Sequence, residues 1–381
     1  MHYLDHAATT PVLPEVKEAM LPFLEEDFGN PSSVHGFGRR AKEAVETARE
    51  RVAAAIGAGP SEIFFTGGGT EANNLGLIGA VRKRRGNGNH ISISAFEHHA
   101  VLDTAEWLAE SGLAVSHIGV GEDGIVTPAA AAKTVKSSTL LVAVMAVNNE
   151  IGTIQPVAQI AASVKEVNRN TVVHTDAVQA LGNIPVDVRA WGVDLAAFAA
   201  HKLGGPKGVG ALYVRAGTPV EALVHGGGQE RGLRSGTLNV AGIAGFGVAA
   251  ELAVAELEAK AERVRQLRDR LLEGIRVAIG DVRVNGSLEH RVPGNLNISI
   301  PHTEGETLIL LLDRAGVAAS SGSACASGAI DPSHVLSAIG IPKDVAIGSL
   351  RLSLGRSSTE EDVDAVLREL PAIVVAARRA A

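Results

Sequence analysis

Three short stretches put reactive side chains directly after apolar, strand-like runs. "EIFFT" leads into "GGGTEANN", Gly67 to Asn74; "TVVHT" gives out at Asp176, with Gln179 close behind; and "DLAAFAA" runs into "HKLGGPKG", with His201 and Lys202. Three glycines let a backbone approach a ligand closely, and Thr70 opens a helical pattern whose free N–H groups attract an anion, so the first stretch reads as a phosphate cradle built on Gly69 and Thr70. It is not a Walker loop, because the chain contains no Gly-Lys pair. A strand-end aspartate either pairs with a cationic ring nitrogen or caps a helix. A lysine leaving a buried strand is costly unless paired or used, because burial favours its free amine. Each feature alone has an ordinary structural explanation. Together, a phosphate cradle, an anion for a pyridinium nitrogen and an amine for an aldehyde are what pyridoxal phosphate requires, and that is the expected cofactor.

Cys325 is the only cysteine in 381 residues and sits in "SSGSACASG", Ser320 to Gly328. A single cysteine excludes an internal disulfide and a multi-thiolate metal site. Among small, polar, turn-forming neighbours it gains little as a buried hydrophobe, so a reactive thiol is the better reading. In "AFEHHAVLDT", His98 and His99 are adjacent and point about 100° apart on a helix, which keeps them from sharing one metal ion. One of them over a cofactor would serve as an aromatic lid and a proton carrier near neutral pH. "VNNEIGTIQP" brings Asn148 and Asn149 after another strand. "HGGGQERGLRSGTLNV" sets Arg231, Arg234 and Thr237 among glycines, as a second anion contact or a mobile loop.

These residues need a scaffold that collects strand ends. Strands are expected at 62–66, 90–94, 139–147, 171–176, 194–200 and 210–214, alternating with amphipathic helices, which is the pattern of a mainly parallel sheet flanked by helices. Ligands of such sheets gather outside the carboxyl ends of the strands. From Glu251 a long charged helix leads into a different texture: strands "VRVNG" and "NLNISI", a helix "GETLILLLDRAG", the cysteine stretch, and a closing helix whose Ser358 and Glu361 have capping-box spacing. The expected division is a large α/β domain, 15–255, and a smaller α+β domain made of 1–14 and 256–381.

The chain is 46% hydrophobic and 20% charged, with a net charge of −7, which offers no general field for nucleic acid or an anionic membrane. Its first residues, "MHYLDHAATTP", hold no basic leader or apolar run. The uncharged stretch 235–250 falls short of the roughly 20 residues that span a bilayer. A cytoplasmic enzyme is the expectation.

Ten segments, in order, now form a recognisable set: "YLDHAATTP", "GNPSSVH", "TGGGTEANN", "EHHAVL", "VNNEIGTIQP", "HTDAVQ", "AHKLGGPKGVGAL", "HGGGQERGLRSGT", "SSGSACASG" and "LRLSLGR". The chain resembles the cysteine desulfurases of iron–sulfur cluster assembly and nitrogen fixation, in the class V aminotransferase branch of the fold-type I pyridoxal phosphate enzymes. The resemblance implies that Lys202 holds the cofactor through its amine, Asp176 pairs with the ring nitrogen, and Gln179 bonds the ring hydroxyl. It implies that His98 stacks on the ring and assists proton transfer, that Gly69, Thr70 and His201 hold the phosphate, and that Thr237 completes that site from the other subunit of a homodimer. Asn149 and Arg351, with Asn30 nearby, would take the carboxylate of L-cysteine. Cys325 would receive the sulfur as a persulfide, leaving alanine, and pass it to scaffold or sulfur-relay proteins.

Two departures stand out. The family usually has a serine or threonine two residues before the histidine of the "HK" pair; here Ala199 stands there, and a missing hydroxyl contact to phosphate is worth roughly 1.5 to 3 kcal/mol. Gly204 stands where an aromatic is common. A selenocysteine lyase or another class V enzyme would share most of these residues, and a non-catalytic assembly scaffold is the reading from another class.

Overall fold

The protein was analysed as a computed structural model, which describes residues 1–321 and 332–380. A seven-stranded sheet forms its centre, in the order β2-β8-β7-β6-β5-β3-β4. In chain order these are β2 (Ile63–Thr66), β3 (His90–Ser94), β4 (Ala114–Ile118), β5 (Thr139–Ala143), β6 (Val172–Asp176), β7 (Leu195–Ala199) and β8 (Gly210–Val214), after a two-residue β1 (His2–Tyr3). Strands β4, β3, β5, β6 and β7 are parallel; β8 runs against β7, and β2 against β8. Since two reversals cancel, β2 points the same way as β7, and six carboxyl ends share one edge of the sheet.

Every residue of β3, β5, β6, β7 and β8 is buried. That is why β5, β7 and β8 read as nearly unbroken apolar runs in the sequence, while β3 and β6 bury polar residues among their apolar ones. The edge strand β4, "AVSHI", is partly exposed, with no such run, and the sequence reading missed it. The strand expected at 139–147 ends its ladder at Ala143, but the chain keeps company with β6: Val144 N–H donates to the His174 carbonyl at 3.1 Å and Ala146 N–H to that of Asp176 at 2.8 Å.

Helices cover both faces: α1 (Pro14–Met20), α2 (Gly36–Ala55), α3 (Gly69–Arg84), α4 (His99–Glu110), α5 (Pro128–Thr134), α6 (Val157–Val167), α7 (Val188–Trp191) and α8 (Val240–Ala255). Helix α8 lies directly on α2, because Gly247 carries no side chain; a Cβ there would sit 2.7 Å from Ala48 Cα. The long helix expected from Glu251 is instead two, α8 and α9 (Leu257–Ile279), bent by 71° at Glu256. The Gly/Ala-rich half is committed to the α2 face, while the charged half turns away to a second apolar cluster. Among the described residues no single helix is long and apolar enough to cross a membrane.

That second cluster gathers Leu4 with apolar residues between Val264 and Ala377. Around it stand the antiparallel sheet β12-β10-β9, made of β9 (Arg283–Val284), β10 (Asn295–Ser299) and β12 (Ser349–Ser353), and the pair of β1 with β11 (Val317–Ala318). Helices α10 (Gly305–Arg314) and α13 (Glu360–Ala380) complete it, whereas α11 (His334–Ala338) and α12 (Lys343–Ala346) send Val335, Leu336 and Ala346 into the core of the large sheet. The cap of α13 differs from the expected Ser358–Glu361 box. Asp362 accepts from Thr359 N–H at 2.8 Å, and Ser358 is drawn backward to accept from Gly355 N–H at 2.9 Å.

The segment "GGGQERGLRSG" is ordered by a buried ion pair. Arg49 on α2 donates to both oxygens of Glu230, at 2.8 and 2.7 Å, and Phe65 N–H donates to the same carboxylate at 2.7 Å. Glu230 and Arg231 hold positive φ values of 48° and 55°, a conformation that the pair locks in place. Arg231 covers the Phe64 ring at 4.1 Å and donates to the Ile63 carbonyl, while Arg234 pairs with Glu71. Glu230→Ala leaves the buried Arg49 guanidinium with only the half-exposed Glu46 as its anion and strips the Phe65 N–H of its acceptor, and is expected to cost about 3 kcal/mol, read as a lower urea midpoint. A midpoint within error of the parent would show that the pair does not hold this region.

Candidate active site

The carboxyl edge of the large sheet carries a turn from β2, a buried acid from β6 and a lysine from β7. After β2, Thr66 Oγ donates to the Gly68 carbonyl at 2.9 Å, Gly67 N–H donates to Glu71, and α3 begins at Gly69. The turn is crowded from beneath: a Cβ on Gly69 would lie 2.7 Å from Val178 and 3.4 Å from the Ala199 methyl. Above it a Cβ on Gly68 would meet nothing within 4 Å, so the amino end of a sixteen-residue helix opens onto empty space. Thr70 is exposed there and shares a groove of about 330 Å³ with His98, His99 and Trp107.

Asp176 closes β6 with only 5% exposure. Its Oδ2 accepts from Asn73 Nδ2 at 2.8 Å and its Oδ1 from Val178 N–H at 3.0 Å. Asn73 Oδ1 in turn accepts from His174 Nε2 at 2.8 Å, which places the His174 proton on Nε2 and leaves its buried Nδ1 without a partner among the described residues. Burial drives the His174 pKa down to about 3, so the ring stays neutral. Neither Asn73 nor His174 was identified from the sequence, where both look like interior positions of a helix and a strand.

His98 caps α4: its Nδ1 accepts from Ala100 N–H at 3.0 Å, so a neutral ring carries its proton on Nε2. Burial lowers its pKa, opposed by Asp176 and reinforced by Lys202, His99 and His334. Beside it Glu97 is wholly buried, accepting from Ser94 Oγ and Met145 N–H, with Oε2 unpartnered among the described residues. Burial, with the Asp176 carboxylate adding, pushes Glu97 up to about 8.

Lys202 follows β7 and directs Nζ at the carbonyls of Ala7 and Ala8, at 2.6 and 2.7 Å. Gln179 Nε2 donates to the same Ala7 carbonyl at 2.9 Å. Lys202, Gln179 and Asn149 line one cavity of about 410 Å³. His201 meets Thr9 Oγ through Nδ1 at 3.2 Å, and burial with Lys202 and Lys207 lowers its pKa to about 4. Gly204, with φ of 82°, packs against Leu13, whose side chain a Cβ would meet at 2.4 Å.

Arg351 on β12 is 3% exposed. It donates to the Asn149 carbonyl at 2.9 Å and to Asp5 Oδ1 at 2.8 Å, while its Nε finds no partner among the described residues. Asn148 is structural, its Oδ1 accepting from the backbone of Glu150 and Ile151. Asn30 is exposed in the turn before α2, accepting from Ser32 N–H, and Thr237 is exposed near the start of α8; neither lines the cavity or the groove. Cys325 lies outside the described residues. The chain on either side is tied to the site, since Ser320 exchanges backbone hydrogen bonds with Arg351, Ser333 Oγ donates to the buried Glu150 carboxyl, and His334 Nε2 meets the Glu97 carbonyl at 2.8 Å.

These residues fit pyridoxal phosphate. The open helix terminus suits its phosphate, Asp176 its ring nitrogen and Lys202 its aldehyde. The orphaned Arg351 Nε suits a substrate carboxylate. Asn73→Ala removes one of the two hydrogen bonds that orient Asp176 and is expected to raise the cofactor dissociation constant by about tenfold, the size of one hydrogen bond to a charged group. Equilibrium dialysis of the cofactor measures it, and unchanged retention would separate Asn73 from the site.

Comparison with known proteins agrees with this geometry. The model of the family described as Aminotransferase class-V matches residues 2–366. A protein named cysteine desulfurase IscS from Clostridium botulinum is 49% identical over 374 residues, 98% of this chain and 94% of the relative. One of the same name from Methanosarcina thermophila is 48% identical over 98% of this chain and 91% of its own. A solved structure described as a NifS-like protein superposes with a TM-score of 0.93 at 41% identity, covering 98% of this chain and all of the other. The chain therefore belongs to the class V aminotransferase family, on its cysteine desulfurase branch.

Proposed function

We propose that the protein is a pyridoxal phosphate-dependent cysteine desulfurase that converts L-cysteine to L-alanine and takes the sulfur onto Cys325 as a persulfide, for iron–sulfur cluster assembly or transfer-RNA thiolation. One observation carries this reading: Lys202, Asp176 and the Gly67–Thr70 turn stand after β7, β6 and β2 on the same edge of the sheet, in a chain similar to desulfurases over nearly its whole length.

In this reading Asp176 pairs with the ring nitrogen, Gln179 bonds the ring hydroxyl and His98 covers the ring face. Gly69, Thr70, His201 and the partner subunit's Thr237 hold the phosphate. Ala199 offers only a methyl group at the floor of that cradle, so His201 and the α3 terminus carry more of the binding. Asn149 and Arg351, with Asn30, grip the substrate carboxylate. Bound pyridoxal phosphate supplies an electron sink that acidifies the Cα proton of cysteine and weakens its C–S bond. Lys202 takes that proton on its amine, steered by the carbonyls of Ala7 and Ala8. The Cys325 thiolate attacks the substrate sulfur. A new S–S bond replaces the C–S bond, the electron pair stays on carbon, and a proton delivered there completes alanine.

The division into a large domain, 15–255, and a small one of 1–14 with 256–381, is part of the proposal; the separate apolar cluster around Leu4 and β12 supports it. So is a cytoplasmic location, where a reducing medium keeps a sole cysteine as a thiol. A homodimer is supported by an uncovered apolar patch, with Leu24 64%, Phe28 70% and Val34 89% exposed and Phe28 stacked on Phe37 at 5.2 Å.

Cys325→Ala is expected to abolish both alanine release from L-cysteine and the extra sulfur on the Cys325 peptide, while leaving the visible absorbance of the bound cofactor intact. Mass spectrometry of the peptide with an alanine assay in the same tube reads both; an undiminished alanine rate in the variant would sink the persulfide route. Phe28→Asp is expected to halve the mass measured by light scattering and to loosen the cofactor. A parent protein that already runs at the mass of one chain would refute the dimer.

A further inference from the structure

The opposite edge of the large sheet carries a second polar groove, of about 640 Å³, between the end of α3 and the amino ends of β5 and β6. Lys83, Arg84, Asn87, Ser137, Asn170 and Pro219 line it. "RKRR", Arg82 to Arg85, is a run of four cations in a chain whose net charge is −7, and none of the four has a carboxylate partner among the described residues. Two are occupied otherwise: Arg82 lies 5.9 Å over the Trp107 ring, and Arg85 donates to the Ser111 carbonyl. The two that line the groove are not. Lys83 and Arg84 donate to no group among the described residues, and Arg84 Nε is buried without a partner.

A cation at the end of a helix is favourable against the macrodipole by a few tenths of a kcal/mol to about 1 kcal/mol, which accounts for the position of one or two of these residues. It does not account for two unpaired cations gathered at the mouth of a groove. The other walls are firm and polar. Asn168 holds the 136–138 turn by donating to the carbonyls of Lys136 and Ser137, at 3.1 and 3.3 Å. The amides of Asn87 and Asn170 and the Ser137 hydroxyl stand around it, and Pro219 gives an apolar surface.

We propose that this groove binds a small phosphate-bearing ligand of nucleotide size, at a site separate from the catalytic centre. Two unneutralised cations select an oxyanion, and the planar fork of Arg84 matches a phosphate better than a single point charge would. The amides and hydroxyl pair with sugar or base edges, and the volume lies within the range of small-molecule sites. The catalytic residues stand at the carboxyl ends of the strands, so a ligand here does not compete with cofactor or cysteine.

The test is calorimetric titration of the cofactor-saturated enzyme with adenosine 5′-monophosphate and, separately, with inorganic phosphate. The nucleotide is expected to bind once per chain, and inorganic phosphate to compete more weakly. Arg84→Gln is expected to weaken the nucleotide by about tenfold or more and Lys83→Gln by a smaller factor. Both variants should keep the parent's thermal midpoint and its rate of alanine formation from cysteine, which separates this inference from the reading of the active site. No heat of binding with either probe overturns the proposal, as does nucleotide binding that Arg84→Gln leaves unchanged. Binding of transfer RNA that the nucleotide neither reproduces nor displaces would make the run a polyanion surface and overturn the small-ligand site.

Discussion

Residues Asp5 to Thr10 form a strap between the large sheet and the second cluster, turned at His6 to Ala8 where Ala8 N–H donates back to the Asp5 carbonyl at 3.0 Å, and the site on either side is organised on it. Its backbone accepts from Lys202 and Gln179 at Ala7 and from Lys202 again at Ala8. Thr10 closes on His201, donating from both its N–H and its hydroxyl to the His201 carbonyl, and accepts from Gly204 N–H. On the other side His6 and Ala7 bond Ser353, and Asp5 pairs with Arg351. A buried polar backbone must find partners, so the strap has few alternative positions. Shifting it would disturb Lys202, His201 and Arg351 together.

This arrangement explains how side chains far apart in sequence hold a common geometry without touching one another. Lys202 and Arg351 both refer to the strap, Lys202 at Ala7 and Ala8 and Arg351 at Asp5. Asp176 is set differently, from inside the sheet, through Asn73 and His174. A buried network of this kind is rigid only when its members are satisfied. Among the described residues His174 Nδ1 finds no partner, which is the local cost of keeping a neutral donor behind Asn73.

Much of this was legible in the sequence, for identifiable reasons. Asp176 and Lys202 stood out because a charged side chain at the end of an apolar strand is rare, and the cradle because glycines cluster where a backbone must come close. The parallel sheet was legible because short runs rich in apolar and β-branched residues alternate with amphipathic helical patterns. Strand β4 lacked such a run. The break at Glu256 was hidden because both halves have helical periodicity, and only the packing of Gly247 on Ala48 fixes the direction of the first. Asn73 and His174 were illegible for a different reason, since a polar residue inside a helix or strand pattern has no signature until its partner is known, and Glu97, in the turn after β3, reads as an ordinary solvated carboxylate until its burial is seen. The strap contributes mainly carbonyls, which every residue type provides.

Asp176 ends β6 as a buried carboxylate in a setting that disfavours any second negative charge. Three ionisable or polar neighbours surround it, and the fold keeps each from carrying a competing charge. His174 is held neutral by burial, Asn73 cannot ionise, and Glu97 is pushed toward its protonated form by burial and by Asp176 itself. An ionised Glu97 would place a second negative charge beside Asp176 in a medium of low polarity, where like charges repel strongly. Glu97 Oε1 also ties the loop that carries His98 to Met145 N–H beyond β5 and to Ser94 Oγ of β3. The burial of Glu97 therefore serves two ends, disfavouring a second charge beside Asp176 and anchoring the turn that leads into His98.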